Sequence, residues 1–225
     1  MSNDTKTGQT SVIRDLLPEP TLQRLPWYLA YVCQLRVQGV ENVSSTQISK
    51  HLNVDSSQIA KDLSFLNIRG KTRIGYDVVE LENTLKDFLE FERQHPAVII
   101  GVGSLGAALI QDSGLTRYGL NIVAGFDIDP DKIGAHMSDR IPVYHVEAMQ
   151  KTVSRLGAKI GIITVPPDQA QAAADAAVNA GVKALWNFSP LRLRARQGIV
   201  IQDTSIYSHL ALMYNRLEQQ KRNEN

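Results

Sequence analysis

The chain has 225 residues, of which 43% are hydrophobic and 21% charged, as expected for a globular protein of one large or two modest domains. Its 24 basic and 23 acidic residues leave a net charge of +1, which excludes binding to nucleic acid or membranes through overall charge, so any basic face must be local. The single cysteine, Cys33, excludes an intramolecular disulfide, and with no signal peptide or membrane-spanning apolar run we expect a cytoplasmic protein.

The first ninety residues have the pattern of a small helical DNA-binding module. Apolar residues recur at helical spacing in three segments, and the second and third segments are joined by a tight turn, which is typical of a helix-turn-helix. The predicted elements are a flexible terminus over residues 1–20, a helix from Leu25 to about Gln38 with Pro26 in its first turn, a short helix capped by Ser44 or Ser45, a turn at Asn53, a third helix capped by Asp55 or Ser56, a wing in which the basic loop 69–73 leads into a strand at 74–78, and an amphipathic connector helix over 79–96.

Positive charge is concentrated in this module. A helix in the major groove reads base edges, and we expect Gln58 to pair with adenine and Lys61 with guanine, while Ser56 and Ser57 meet phosphate. The alternative is a three-helix module that binds protein or only dimerises, with a solvated basic face. From Ser44 to Tyr76 five cations face two acids, a local charge of +3: Lys50, Lys61, Arg69, Lys71 and Arg73 against Asp55 and Asp62.

A glycine-rich turn follows the module. The apolar strand Ala97–Ile100 leads into Gly101, Gly103 and Gly106, which have G-x-G-x-x-G spacing. The first glycine permits a tight turn, the second lets the backbone approach a pyrophosphate, and the third lets the next helix, from about Ala107, pack closely. The exposed N–H groups and dipole of that helix favour phosphate.

An acidic residue follows at the spacing that this fingerprint requires. A second apolar strand, 122–126, ends at Asp127, where a carboxylate accepts hydrogen bonds from ribose hydroxyls. Asp129 competes for the same role. Because a carboxylate repels a 2′-phosphate and no arginine comes just after it, the pattern favours NAD(H) over NADP(H).

The remaining chain alternates strands and helices, which predicts a doubly wound parallel sheet with right-handed crossovers. Ligands bind at the carboxyl ends of such strands, which nominates Thr164, Val165, Pro166 and residues 187–190. The amphipathic segment 204–222 has no sheet left to cover, so we expect a partner helix from a second subunit. The predicted elements are a strand at Pro142–Val143, a helix over Val146–Leu156, a strand over Lys159–Val165, a helix capped by Asp168 and ending at Ala180, and strands over Ala184–Phe188 and Ile199–Ile201.

With both halves in view, the chain resembles the Rex family of redox-sensing transcriptional repressors from Arg24 to the last helix. The resemblance implies a homodimer of winged-helix and Rossmann domains whose C-terminal helix is exchanged between subunits. It also implies binding to palindromic operator DNA, with release by NADH but not by NAD+. The motifs that carry it are RLPWYL at 24–29, VSSTQISKHLNVDSSQIAKDLSFL at 43–66, IGYDV at 74–78, GVGSLG at 101–106, FDIDPDKIG at 126–134, TVP at 164–166 and NFSP at 187–190.

The resemblance also assigns domains and site residues. It implies a flexible terminus over 1–20, a winged-helix domain over 21–90, a Rossmann domain over 91–203 and a dimerisation helix over 204–225. For the operator it implies Ser44, Ser45, Ser56, Gln58 and Lys61, with Arg73 in the wing. For NAD(H) it implies the turn Gly101, Val102, Gly103, Ser104, Leu105 and Gly106 at the pyrophosphate, Asp127 and Asp129 at the adenosine ribose, and Thr164, Val165, Pro166 and Asn187 near the nicotinamide.

This sequence departs from the family pattern at several positions. Ala60 replaces the first of two adjacent cations in the recognition helix, and Asn67 replaces the glycine after it. Many members couple the two domains through an arginine on the first helix, a tyrosine beyond the glycine turn and an aspartate opening the last helix. The corresponding residues are Ala30, Asp112 and, depending on alignment, Asp203 or Ser205. These differences predict that the coupling between the domains is weakened or uses other residues.

Two alternatives belong to other functional classes. One is a small NAD-dependent oxidoreductase, which needs an acid or base beside the nicotinamide. None of the five histidines lies at the carboxyl end of a predicted strand, and little chain is left for a substrate pocket. The other is a regulator that binds another nucleotide such as CoA.

Overall fold

The computed structural model describes residues 17–134 and 141–223, and its contacts divide the chain into two units after Glu92. Of the predicted flexible terminus, residues 1–16 lie outside the described residues. Leu17 is already buried in the core of the first unit, and the first helix begins at Glu19 rather than Leu25. Pro20 suits its first turn because the missing N–H has no partner there anyway. Pro26 therefore lies inside the helix, not in its first turn as predicted.

The first unit packs its helices around one apolar core, which includes the fully buried Leu25, Ile48, Ile59 and Leu81. The segment predicted as a connector helix belongs to this core, and it ends at Leu89 rather than Pro96. Cys33 is partly buried and packs against this core. The elements are α1 (Glu19–Val37), β1 (Asn42–Val43), α2 (Ser45–Leu52), α3 (Ser56–Ser64), β2 (Tyr76–Asp77) and α4 (Val78–Leu89).

Side-chain caps set the turn of the helix-turn-helix. Ser44 caps α2 in a capping box with Gln47, and Asp55 caps α3, so the first residue of each predicted pair is the cap. Asn53 makes the turn with a left-handed φ of 53°. These side chains stabilise two short helices that are marginal by themselves.

The predicted wing is a tight loop closed by backbone hydrogen bonds. The Lys71 N–H donates to the Gly75 carbonyl at 2.7 Å, and β2 pairs antiparallel with β1. Only Tyr76–Asp77 of the predicted strand 74–78 is extended, because Asp77 caps α4. Gly75 has a φ of 96°, and a Cβ there would overlap the Val43 carbonyl oxygen, so only glycine fits.

Asn67 occupies a left-handed backbone position, with a φ of 57°. Asparagine tolerates this conformation better than other side-chain-bearing residues, which explains how it replaces the glycine of the family pattern. We expect Asn67→Gly to leave the free energy of unfolding unchanged or higher, and Asn67→Ala to lower it by about 1 kcal/mol. Urea denaturation measures both. The control is Ala60→Gly, at an exposed position of α3, which should lower the free energy of unfolding by about 1 kcal/mol. A similar loss in Asn67→Gly would contradict the prediction.

The second unit contains a six-stranded sheet in which all strands are parallel, in the order β5-β4-β3-β6-β7-β8. This is the order of the doubly wound dinucleotide-binding fold and confirms the predicted fold class. Its elements are β3 (His95–Ile100), α5 (Ser104–Gln111), α6 (Ser113–Arg117), β4 (Leu120–Asp127), β5 (Val143–His145), a 3-10 turn (Val146–Ala148), α7 (Met149–Leu156), β6 (Ile160–Ile163), α8 (Pro167–Asn179), β7 (Ala184–Asn187), β8 (Val200–Asp203) and α9 (Ile206–Asn223).

Two helix starts in this unit differ from the prediction. Helix α5 begins at Ser104, directly after the second glycine, rather than at Ala107. Helix α8 has Pro166 as its N-cap and Pro167 in its first turn, so Asp168 lies inside the first turn instead of capping it. Proline needs no N–H partner at that position, and an acidic residue there favours the helix dipole.

Apolar residues on both faces of the sheet form the core of the second unit. Val98 and Ile100 face the buried alanines of α8, while Ala97 and Ile99 belong to the cluster that contains Ile110 of α5. Helix α9 has no fully buried residue. Within residues 17–134 and 141–223, no helix combines the length and the apolar composition needed to cross a membrane.

Candidate nucleotide site and nucleic-acid interface

The glycine turn between β3 and α5 has a separate steric reason at each glycine. Gly101 has a φ of 93°, and a Cβ there would lie 2.6 Å from the Val165 side chain. A Cβ at Gly106 would overlap the Gly101 carbonyl oxygen, whereas a Cβ at Gly103 would meet nothing within 4 Å. The first and third glycines are therefore needed for packing, and the second faces open space beside the uncapped start of α5.

The turn opens into a cavity of about 550 Å³ at the carboxyl ends of β3, β4 and β6. Strands β4 and β5 are added on one side of β3, and strands β6 to β8 on the other side. The strand order therefore reverses between β3 and β6, and ligands bind at this position in doubly wound sheets. The Thr164 hydroxyl donates across this point to the Gly101 carbonyl at 2.7 Å and so fixes the turn. The predicted cofactor residues that line the cavity are Gly101, Gly103, Asp127, Asp129, Thr164, Val165 and Pro166.

The other predicted cofactor residues do not line this cavity. Val102 and Gly106 are buried beneath the turn, while Ser104 and Leu105 are exposed on the first turn of α5. Asn187 is fully buried, and both ends of its side-chain amide are hydrogen-bonded within the protein. Its predicted place beside the nicotinamide stays a prediction, and in the structure its side chain holds the end of β7.

Asp127 ends β4 with a carboxylate that is almost saturated by backbone donors. It accepts from the N–H groups of Val102 at 2.7 Å, Ile128 at 2.8 Å and Asp129 at 3.0 Å. The Lys132 ammonium lies 3.4 Å from it. Burial raises the pKa of Asp127, but these hydrogen bonds and the lysine charge outweigh burial and bring the pKa below its ordinary value. The carboxylate is thus ionised at neutral pH and ties the glycine turn to β4.

Sequence reasoning missed two polar residues, Lys132 and Gln169, and the apolar wall of the cavity. Lys132 bridges the carboxylates of Asp127 and Asp129 at 3.4 Å each. The position of Lys132 in the FDIDPDKIG motif, near the ribose candidates, could have indicated it. The wall had a weaker signal, because the alanine-rich α8 has the pattern of an ordinary packed helix. The residues of the apolar wall are Ile128, Val146, Met149, Ala172, Ala173 and Ala176.

The helix-turn-helix and wing display their basic residues in solvent. The five cations are all exposed: Lys50, Lys61, Arg69, Lys71 and Arg73. Ser57 is exposed, but its hydroxyl donates to Asp55, and Ser44 is engaged in its capping box. The remaining candidates, Ser45, Ser56 and Gln58, are partly exposed.

A buried carboxylate fixes the recognition helix to α1. Asp62 of α3 is 0% exposed and pairs with the Arg24 guanidinium at 2.7 and 2.8 Å. It also accepts from the Tyr28 hydroxyl at 2.7 Å and from the Gln58 amide at 2.8 Å. Burial raises the pKa of Asp62, but these donors hold it below its ordinary value. The net charge of +3 over residues 44–76 includes Asp62, but this carboxylate is buried, so the exposed face of the module is more basic than that count.

Gln58 keeps part of its hydrogen-bonding capacity. Its Nε2 group donates one hydrogen to Asp62, which leaves the second amide hydrogen and the amide oxygen for other partners. A contact with adenine through both ends of the amide must either be compatible with this bond or break it. The predicted pairing of Gln58 with adenine stays a prediction.

Two family models cover most of the chain. Residues 17–64 match a model described as "Putative DNA-binding protein N-terminus", and residues 92–191 match the model "CoA binding domain". A Redox-sensing transcriptional repressor Rex from Bacteroides fragilis is 53% identical over 201 residues, which cover 89% of this chain and 91% of that protein. The Rex of Porphyromonas gingivalis (strain W83) is 48% identical and covers 95% and 98% of the two chains. The chain belongs to the Rex family of redox-sensing transcriptional repressors.

Solved structures agree with membership in the Rex family. The structure of RSP in complex with beta-NAD+ and operator DNA has a TM-score of 0.86 at 31% identity, covering 92% of this chain and 95% of that one. The structure of RSP in complex with beta-NADH has a TM-score of 0.82 at 32% identity, covering 92% and 97%. Since the Rex relatives are repressors, the expectation that the chain is not an enzyme is confirmed.

One histidine differs from the sequence prediction. His145 does lie at the carboxyl end of a strand, β5, which is the short strand predicted to open at Pro142 and Val143. Its ring accepts from the Glu147 N–H at 3.4 Å and does not line the cavity. His136 lies outside the described residues.

The positions that couple the two domains in many Rex proteins have local roles here. Ala30 is exposed on α1, and Asp112 caps α6 by accepting from the Gly114 N–H at 2.8 Å. Ser205 directly precedes α9 and accepts from the Ser208 N–H, so Ser205 is the residue that opens the last helix. Asp203 lies instead at the end of β8, where it pairs with Asn187.

Proposed function

We propose that this chain is a dimeric repressor that binds NADH and NAD+ in the cavity of its second unit and releases operator DNA when NADH binds. The observation that carries the proposal is one chain containing both a basic helix-turn-helix and a glycine turn that opens into a ligand-sized cavity. The related RSP structures contain beta-NAD+ with operator DNA and beta-NADH. Because a repressor must be in the same compartment as its operator DNA, we propose a cytoplasmic location.

The residues around the cavity fit a dinucleotide. A pyrophosphate fits over Gly103, because no atom lies within 4 Å of the position that a Cβ would take there. The backbone N–H groups of Ser104 and Leu105, at the start of α5, are nearby and free to donate to it. Asp129 and Lys132 offer partly exposed polar groups for the ribose, while Asp127 holds the turn. An adenine ring fits the apolar wall formed by α8, and the nicotinamide lies towards Thr164 and Pro166. The bound cofactor supplies a redox-dependent charge on its nicotinamide, which is the property to be sensed.

The last helix supports the dimer. Ile206, Met213 and Leu217 of α9 are each about half exposed, and no part of the described chain covers them. We propose that α9 is exchanged with a second subunit. Two recognition helices then read half-sites about 34–36 Å apart, a spacing that a pivot of the dimer would destroy.

The energetic requirement of the switch is definite. Moving the operator-competent form from 99:1 to 1:99 requires NADH to prefer the released form about 10⁴-fold, or about 5.5 kcal/mol. Two sites in a dimer can share this preference. NAD+ binding equally to both forms would shift nothing.

The test is a titration of NADH and NAD+ into the protein–operator complex at fixed salt, because salt alone changes such affinities by orders of magnitude. We expect NADH, but not NAD+, to release the DNA. Retention of the operator at saturating NADH would contradict the proposal. A thermal-shift series with NADH, NAD+, NADPH and CoA separates it from the CoA alternative that the match of residues 92–191 keeps in view.

Lys61 on the exposed face of α3 gives a second prediction. Lys61→Ala should weaken operator binding about tenfold, whether Lys61 contacts a base or a phosphate. Loss of a phosphate contact would also lower the salt slope by about one, whereas loss of a base contact would relax sequence preference. Fluorescence anisotropy at several salt concentrations distinguishes these. Lys183→Ala, at an exposed lysine of the second unit, is the control. Equal operator affinities of the two variants would show that Lys61 does not contact the DNA.

A further inference from the structure

The end of β7 holds the segment that leads into α9 through three hydrogen bonds. The Asn187 Nδ2 group donates to Asp203 Oδ1 at 2.7 Å. The Thr204 N–H donates to the Asn187 carbonyl at 2.8 Å. The Trp186 indole N–H donates to the Thr204 hydroxyl at 2.9 Å. Helix α9 begins two residues after Thr204, so these bonds set where it leaves the sheet.

Asn187 also holds the loop on its other side. The same Nδ2 group donates to the Leu191 carbonyl at 2.8 Å, and its Oδ1 atom accepts from the Ser189 N–H at 3.0 Å. The side chain is fully buried, so every polar atom of the amide depends on these partners. The loop 188–191 and Asp203 are therefore held by the same buried side chain.

This loop is joined to the strand that leads into the nucleotide cavity. Asn187 lies beside Ile163 in the sheet register, and the Phe188 N–H donates to the Ile163 carbonyl at 3.0 Å. The residues that directly follow Ile163 are Thr164, Val165 and Pro166, which line the cavity. Hydrogen bonds and the peptide bonds between neighbouring residues thus connect Thr164 at the cavity to Asn187 and the start of α9.

We propose that the bond between Asn187 and Asp203 transmits occupancy of the nucleotide site to α9, with Asp203 and Thr204 as positioning residues that touch neither cofactor nor DNA. This rests on the proposed function, because α9 must join the subunits for its exit angle to matter. The route uses residues other than Ala30, Asp112 and Ser205. The route lies entirely within the second unit. A change in the direction in which α9 leaves the sheet would change the arrangement of the two subunits in the dimer.

The test uses the full-length dimer and compares wild type with Asp203→Ala and Asp203→Asn. Asparagine keeps an Oδ1 acceptor for Asn187, whereas alanine removes it. The quantity measured is the ratio of operator affinities without and with saturating NADH, with the NADH affinity of the DNA-free protein determined by calorimetry. We expect Asp203→Ala to lower this ratio about tenfold while NADH affinity and NADH-free operator affinity stay at wild-type values. Asp203→Asn should restore most of the ratio.

A second variant and a spectroscopic signal keep the test independent of Asp203 alone. Thr204→Val removes the acceptor of the Trp186 indole and should also lower the ratio. In a Trp27→Phe background Trp186 is the single tryptophan, and its emission maximum should shift on NADH binding in the wild-type background but not in Asp203→Ala. Gln197→Ala, at an exposed position in the loop before β8, is the control.

The outcomes separate this inference from the proposed function. A wild type whose operator binding ignores NADH contradicts the proposed function. A wild type that responds, together with an unchanged ratio in Asp203→Ala and Thr204→Val, overturns the inference alone. A lower ratio that follows a matching loss of NADH affinity, or that Asp203→Asn does not restore, also overturns it.

Discussion

Gly103→Ala should weaken NADH binding, and with it the response to NADH, without unfolding the protein. The backbone at Gly103 has a φ of −79°, which alanine adopts freely, and its Cβ would meet no atom within 4 Å. The same methyl group would occupy the space in which we place the pyrophosphate, so close approach of the backbone is lost. We expect the Kd for NADH to rise at least tenfold, or about 1.4 kcal/mol. Calorimetry measures the Kd, and thermal unfolding measures stability.

Gly106→Ala provides the contrast. Its Cβ would overlap the Gly101 carbonyl oxygen, so the turn must move and the second unit should lose stability as well as NADH affinity. The pair therefore separates a ligand-facing glycine from a packing glycine in one motif. Wild-type NADH affinity in a correctly folded Gly103→Ala protein would show that the pyrophosphate lies elsewhere.

Asp62→Ala should strongly destabilise the first unit. It removes the acceptor shared by Arg24, Tyr28 and Gln58, and it leaves the guanidinium, whose side chain is only 20% exposed, without its counter-charge. Breaking one partner out of a buried ion pair costs about 3–5 kcal/mol. Because Asp62 fixes α3 to α1, operator binding should weaken at temperatures where the protein is still folded. Urea denaturation and anisotropy measure the two effects.

Tyr28→Phe is the matched control for Asp62→Ala. It removes a single hydrogen bond to the same carboxylate and should cost about 1–3 kcal/mol, with Arg24 still paired. Equal costs for the two variants would show that the ion pair contributes nothing beyond one hydrogen bond. The pH dependence gives a further check, because the folded pKa of Asp62 lies below its unfolded value of about 3.9. Its contribution is complete above that value and is lost as pH falls through the folded pKa.

The sequence by itself determined the local elements and the identity of the turn. Asn53 and the caps at Ser44 and Asp55 are decided by residues within three positions of each other, because capping is a local hydrogen-bonding problem. The strand, three glycines and terminal acid likewise specified a dinucleotide-type fold, since each position answers a steric need of one short segment.

Only the tertiary structure decided what long side chains do. Asp62 looked like a surface charge until Arg24, 38 residues away, was seen to pair with it. Asn187 is predicted beside the nicotinamide, but only the structure shows that its amide is bonded to Asp203 and Leu191. Asp127 was expected to contact ribose, and only the structure shows that its carboxylate accepts a hydrogen bond from the Val102 N–H in the glycine turn. In each case the partner is distant in sequence, and no periodicity or spacing encodes which buried polar groups will meet, because that depends on how separately formed elements pack.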